Sequence, residues 1–175
     1  MCFDANPDVR LHKTFSGMLN SNRYLIPLAG LLLLVSCRSL DVYEKNVPIP
    51  DHEWKAGFVP TFQFDITDTV SLYNIYAVLR HTSNYRFNNI WLQVGTSFPG
   101  DSMRYQRVEL RLGNDATGWE GSGMGDIWEV RKPLTPGPVR LAKKGRYTFS
   151  LAQIMRDEKL AAVMSAGIRV EKAAP

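Results

Sequence analysis

From Thr61 onward apolar and polar residues alternate with a period of two, and turn-forming residues interrupt the pattern at short intervals. Successive side chains of a strand point to opposite faces, so a chain patterned this way is committed to sheets rather than helices. Phe62 and Phe64 alternate with Gln63 and Asp65 before Ile66-Thr67-Asp68-Thr69 turns the chain. Tyr105 to Leu112 is the cleanest stretch. Arg107, Glu109 and Arg111 face water and Val108, Leu110 and Leu112 face a core, as in a half-exposed antiparallel strand. Ser71 to His81 carries apolar bulk on both faces, with Tyr73, Ile75, Ala77 and Leu79 on one and Leu72, Tyr76 and Val78 on the other. That pattern predicts a central strand covered on both sides, or one facing a partner. Phe87 to Thr96 predicts another, with the polar stretch 82–86 as a hairpin connection. Further strands are expected at Asp126–Arg131, Gly145–Leu151 and Gly167–Glu171, and the glycine-rich Gly121–Gly125 reads as a wide hairpin loop. The single helical expectation is Ser150–Met164, with Ser150 as cap and Ile154, Leu160 and Val163 toward the core. The expected fold is therefore all-β, an antiparallel β-sandwich (jelly-roll or immunoglobulin-like) with one short C-terminal helix.

The pattern does not reach the N-terminus. Leu25 to Val35 is almost wholly apolar and Arg23 precedes it. The run suits a signal-peptide core and falls short of the roughly 20 residues that a membrane-spanning helix needs. Leu34-Val35-Ser36-Cys37 at its end reads as a bacterial lipobox, where a diacylglycerol is attached to the cysteine and the preceding segment is cut away. Three regions are expected: 1–36 a signal peptide, 37–60 a lipidated tether and extended segment, and 61–175 the β-sandwich domain. Met1 to Gly17 has acidic residues and no apolar run, so translation is expected to start at Met18. Pro48 and Pro50 forbid a helix in the tether, and Trp54 and Phe58 are expected to pin it to the domain. Arg38 follows Cys37 where an aspartate would favour inner-membrane retention, and Arg38-Ser39-Leu40-Asp41 is not an acidic export run. Both features favour the periplasmic face of the outer membrane over the inner membrane.

Cys2 and Cys37 are the only cysteines, so a processed and acylated chain has neither a free thiol nor a disulfide and must rely on packing. With three histidines, one of them in the leader, no zinc site is expected. The net charge of +4 is spread without a basic stripe, and the cluster Arg140–Arg146 reads as a solvated turn, so no nucleic-acid partner is expected. Asp65 and Asp68 lack calcium-loop spacing. Asp101 with Glu109, and Glu120 with Asp126, read as surface charge rather than a glycosidase pair. The glycine-rich segment lacks the lysine and the following helix of a phosphate loop. No catalytic or metal-ligating residue is expected, nor any cofactor beyond an acyl lipid on Cys37. Most aromatics are expected in the core. Tyr76 and Trp91, each flanked by polar residues on its strand face, and Trp119, beside the glycine-rich segment, form the candidate binding surface.

Phe149-Ser150-Leu151-Ala152-Gln153-Ile154-Met155-Arg156-Asp157 is followed by Gly167-Ile168-Arg169-Val170-Glu171-Lys172. With the glycine-rich Gly118–Ile127, Tyr73-Asn74, Asn88–Leu92 and the lipobox, this order of features resembles the GldH family of gliding-motility lipoproteins from the Bacteroidota. The family is identified by a requirement in gliding rather than by a biochemical activity, and it brings no assigned catalytic residues. The resemblance implies a non-enzymatic, membrane-anchored accessory protein of the cell envelope that binds other envelope proteins, gliding or secretion machinery among them. The alternative reading is a glycan-binding lipoprotein module, which requires an exposed aromatic platform. A hydrolase would require two carboxylates facing each other across a cleft.

Overall fold

The computed structural model describes residues 41–173. The apolar run and Cys37 lie outside the described residues. Strands dominate, and the only helical element among the described residues is a single 3-10 turn at Pro50–His52. In chain order the strands are β1 (Asp41–Pro48), β2 (Glu53–Lys55), β3 (Thr61–Ile66), β4 (Leu72–Thr82), β5 (Asn89–Ser97), β6 (Arg104–Arg111), β7 (Gly113–Asn114), β8 (Gly118–Trp119), β9 (Ser122–Met124), β10 (Ile127–Pro133), β11 (Val139–Arg140), β12 (Gly145–Gln153), β13 (Lys159–Ala161) and β14 (Val163–Lys172).

These strands make an antiparallel sandwich. One sheet runs β1-β14-β4-β10-β9, with β11 also on β4; the other runs β3-β12-β5-β6. The alternation read in the sequence sends one row of each strand between the sheets. Tyr73, Ile75 and Leu79 of β4 and Ile168 and Val170 of β14 meet Phe62, Phe64, Leu92, Val94, Phe149 and Leu151 of the second sheet in one buried cluster. Phe64 organises it. Its ring lies 5.1 Å from Tyr43 of β1, 5.9 Å from Tyr147 and 5.7 Å from Phe149. Offset aromatic packing at these separations adds stabilisation beyond buried area, and the sheets of the described domain are held together without any disulfide.

Residues 41–60 belong to this packed body. β1 pairs with β14 along one edge of the larger sheet. β2 pairs with β13, bringing Trp54 opposite Leu160, and both are buried. The indole Nε1 of Trp54 donates to Phe58 O at 2.8 Å.

Three local expectations are corrected. The C-terminal helix is absent: Ser150 to Gln153 continue β12 against Gly95 to Leu92 of β5, and Leu160 lies in β13. Phe149, Leu151 and Gln153 are all buried, so the period is two, not 3.6. The carbonyls of Asp157 and Glu158 accept from the Gln153 side-chain amide at 3.1 and 3.2 Å. The expected hairpin between the strands at 71–81 and 87–96 is also absent. β4 and β5 lie in different sheets, and the connection crosses the sandwich around buried Tyr85, whose hydroxyl donates to Asn89 O at 3.1 Å. The glycine-rich loop is tight rather than wide. Met124 pairs with Ile127, leaving Gly125-Asp126 as the turn, and Gly125 adopts φ +65 as such turns require.

Candidate functional site

The structure places the three candidate aromatics apart. Tyr76 lies on the outer face of β4, half-buried, in register with Arg169 on β14 and Pro133 on β10. Burial first, and then Glu171 beside it, raise its phenol pKa above the ordinary value. Trp119 turns inward. Its ring stands edge-on to His81 at 4.6 Å and 6.3 Å from Tyr85, packed against the core. Only Trp91 is exposed, at 40%, on the outer face of β5. No shared aromatic platform results among these three.

Trp91 borders a groove of about 610 Å³. The residues after β12 form its far wall. Ile154 N donates to Trp91 O at 2.9 Å and Trp91 N donates to Met155 Sδ at 3.2 Å, so the 154–157 segment is held against β5. Arg86, Arg107 and Arg156 line the groove together with Phe87 and Asp157. Arg86 stacks over Phe87 at 5.5 Å and reaches Asp157 at 3.7 Å. Arg107 and Arg156 have no acidic partner among the described residues, which no reading of the sequence displays, because pairing is set by the fold. The arrangement is that of a cationic, partly aromatic recess.

Of the four carboxylates considered for catalysis, Glu120, Asp101 and Glu109 have side-chain partners, and Asp126 is exposed in the turn before β10. Glu120 is bonded to Lys132 and, at 2.7 Å, to Arg111, and the Lys132 hydrogen bond holds its carboxyl below the usual range. Asp101 pairs with Lys143 at 2.6 Å, and Glu109 accepts from Asn89. Asp68 accepts from the backbone N–H of Val70 and Ser71, from the Ser71 hydroxyl at 2.6 Å and from Lys172 at 2.7 Å. The Lys172 and Ser71 bonds hold it far below the ordinary carboxylate range. Among the described residues no group of three or more His, Cys, Asp or Glu side chains is gathered for a metal.

His81 is the residue with the most unusual environment. It is 1% exposed, its Nδ1 lies 3.0 Å from Thr82 O, and its Nε2 is buried with no partner among the described residues. Burial lowers its pKa, although the Thr82 carbonyl acts against that shift. A lowered folded pKa means that the unfolded chain binds the proton first, so stability falls as pH drops below about 6.5. Asp68 acts in the same direction at lower pH, below about 4, where its unfolded carboxyl protonates before the folded one. The expected result is a two-stage acid loss of Tm, with His81→Gln removing the upper stage. A Tm flat from pH 7.5 to the edge of the carboxylate range would contradict it.

The model of the GldH lipoprotein family matches residues 41–170, from the start of β1 almost to the end of β14. The chain belongs to the GldH lipoprotein family. The sequence is 27% identical over 149 residues to a protein of Christiangramia forsetii named as a gliding motility lipoprotein GldH homolog, covering 81% of this chain and 90% of that protein. It is 28% identical over 154 residues to the gliding motility lipoprotein GldH of Flavobacterium johnsoniae, covering 84% and 94%. Among solved structures, the infectious bursal disease virus VP2 subviral particle aligns at TM-score 0.31 and 11% identity. That alignment covers 74% of this chain but 33% of that one, and at this score it carries no argument. The GldH family match covers both sheets, so β1 and the β2–β13 pair are within the family's domain rather than appended to it.

Proposed function

We propose that this chain is a lipid-anchored, non-enzymatic accessory protein of the cell envelope, held at the periplasmic face of the outer membrane by an acyl lipid on Cys37. It would act by docking other envelope proteins, gliding or secretion machinery among them. The family membership carries this reading, and the relatives' names supply the link to gliding. The lipobox supports the anchor: only Arg38, Ser39 and Leu40 separate Cys37 from β1. An extended chain spans at most about 3.3–3.6 Å per residue, so the tether keeps the edge of the larger sheet within about 15 Å of the lipid attachment. Two or more acyl chains make such anchoring stable. The pairing of Glu120 and Asp101 with basic residues and of Glu109 with Asn89 favours docking over hydrolysis. The glycan-binding reading has weaker support, since Trp91 stands without a second exposed aromatic from the candidate set beside it.

The test combines labelling with a palmitate analogue and sucrose-gradient fractionation. The unaltered chain is expected to take the label and to sediment with outer-membrane markers, and Cys37→Ala to lose both properties. Label retained by Cys37→Ala, or sedimentation with inner-membrane markers, would contradict the corresponding part. In-cell crosslinking of a tagged chain is expected to recover defined envelope proteins. Recovery of the chain alone, or with peptidoglycan or polysaccharide, would count against docking.

A further inference from the structure

The described arginines divide into two groups. Arg80, Arg86, Arg111, Arg131, Arg146 and Arg169 each face a carboxylate within ion-pair distance. Arg104, Arg107, Arg140 and Arg156 have no such partner among the described residues, and each lines one of two cavities beside β6. Arg107 and Arg156 line the groove beside Trp91. Arg104 and Arg140 line a second cavity, of about 360 Å³, whose walls include Phe98, Leu134, Leu141 and Phe149.

Strand β6 separates these cavities and is itself unfinished. It pairs with β5 on one side and ends the four-stranded sheet. Tyr105, Arg107 and Glu109 lie on the outer face with Trp91. Arg104 and Gln106 lie on the inner face above the second cavity. An edge strand presents a row of N–H and C=O groups to any extended chain, and folded proteins usually blunt it with proline, a bulge or short length. β6 is eight residues long, contains no proline and keeps continuous register with β5; it carries charge instead, at Arg104, Arg107, Glu109 and Arg111. The edges of the larger sheet differ. β1 carries a register shift and ends in Pro48, and β9 has three residues.

We propose that the free edge of β6 takes up an extended segment of a partner protein whose side chains include carboxylates and alternate with apolar ones. Main-chain hydrogen bonds to β6 would give register. One row of side chains would enter the apolar cavity below Arg104, and the other would meet Arg107 on the face that carries Trp91. This is strand addition, in which backbone bonds give affinity and alternate side chains give specificity. Charge complementarity names the partner's acidity, and the apolar cavity names its second component. The proposal rests on the docking reading above and assigns it a place.

The test uses the full chain, with its native anchor, in detergent at low ionic strength, where charge contacts are least screened. The probe is a fluorescent peptide as long as β6 in which aspartate alternates with valine. It is expected to bind, to slow hydrogen exchange at β6 amides, and to lose affinity about tenfold or more against the double variant Arg104→Glu, Arg107→Glu. Both arginines are exposed, so the variant is expected to keep its Tm. N-methylation of alternate peptide nitrogens is expected to abolish binding. Equal binding of the N-methylated peptide, no change in β6 exchange at saturation, or binding of polygalacturonate in place of the peptide would each overturn strand addition. In cells, a photoreactive residue at position 106 is expected to crosslink an envelope protein. Crosslinks from other faces but not from position 106 would leave docking standing and overturn the β6 assignment. Crosslinks from no face would overturn both.

Discussion

Replacing Trp54 by alanine is expected to cost about 3–5 kcal/mol and to lower Tm by roughly 10–20 °C. The indole is fully buried, sits opposite Leu160 across the β2–β13 pair and donates to Phe58 O at 2.8 Å. Truncation removes the apolar transfer energy, leaves a cavity where β2 meets the body and strands a carbonyl. Folded domains are stable by only about 5–15 kcal/mol, so this one change consumes a large part of the margin. Trp54→Phe, which keeps a ring but loses the donor, is expected to cost less, about 1–2 kcal/mol. Thermal and urea unfolding followed by circular dichroism measure both. A Trp54→Ala chain melting within a few degrees of the original would mean that β2 and β13 lie outside the cooperative unit.

Gln153→Leu is expected to cost about 2–4 kcal/mol despite its similar volume. Gln153 is 1% exposed. Its amide Nε2 faces Trp54 O at 3.3 Å, Asp157 O at 3.1 Å and Glu158 O at 3.2 Å, and its Oε1 accepts from Met155 N at 2.9 Å. Leucine would leave these groups without that partner in a place water reaches poorly, and an unsatisfied buried polar group costs far more than a hydrogen bond contributes. The segment released, 154–157, is the far wall of the groove beside Trp91. The same variant is therefore expected to shift Trp91 fluorescence below the melting transition. Because Gln153 touches the Trp54 carbonyl, the two substitutions are expected to be non-additive by about 0.5–3 kcal/mol in a double-mutant cycle. An additive cycle with unchanged Trp91 emission would refute the staple.

Periodicity made much of this fold legible. The rows Phe62/Phe64, Val108/Leu110/Leu112 and Tyr147/Phe149 were readable as core-facing because a strand alternates its side chains whatever it pairs with. The helix expectation at Ser150–Met164 failed for a reason local patterns do not contain. Gln153 had no part in that expectation, yet it is the buried staple that lets β12 end and the chain double back into β13. His81 likewise had no motif around it, and only the crossing of the chain around Tyr85 and Trp119 buries it. Of the candidate surface, Trp91 is on a solvent face, Tyr76 lies half-buried on the opposite sheet and Trp119 packs inward. Three short local patterns could not say which faces would coincide.

The sequence by itself determined the all-β class, the strand rows and membership in the GldH family, since these depend on neighbours along the chain. The expected lipobox at Cys37 is likewise a pattern of neighbours, so that proposal needs no fold to be made. The tertiary structure alone decided which strands share a sheet, that β4 and β5 do not, and that β6 is left at an edge. It alone decided which arginines find carboxylates. Strand pairing and ion pairing join residues far apart in the chain, and their energies depend on distances that exist only once the two sheets have closed.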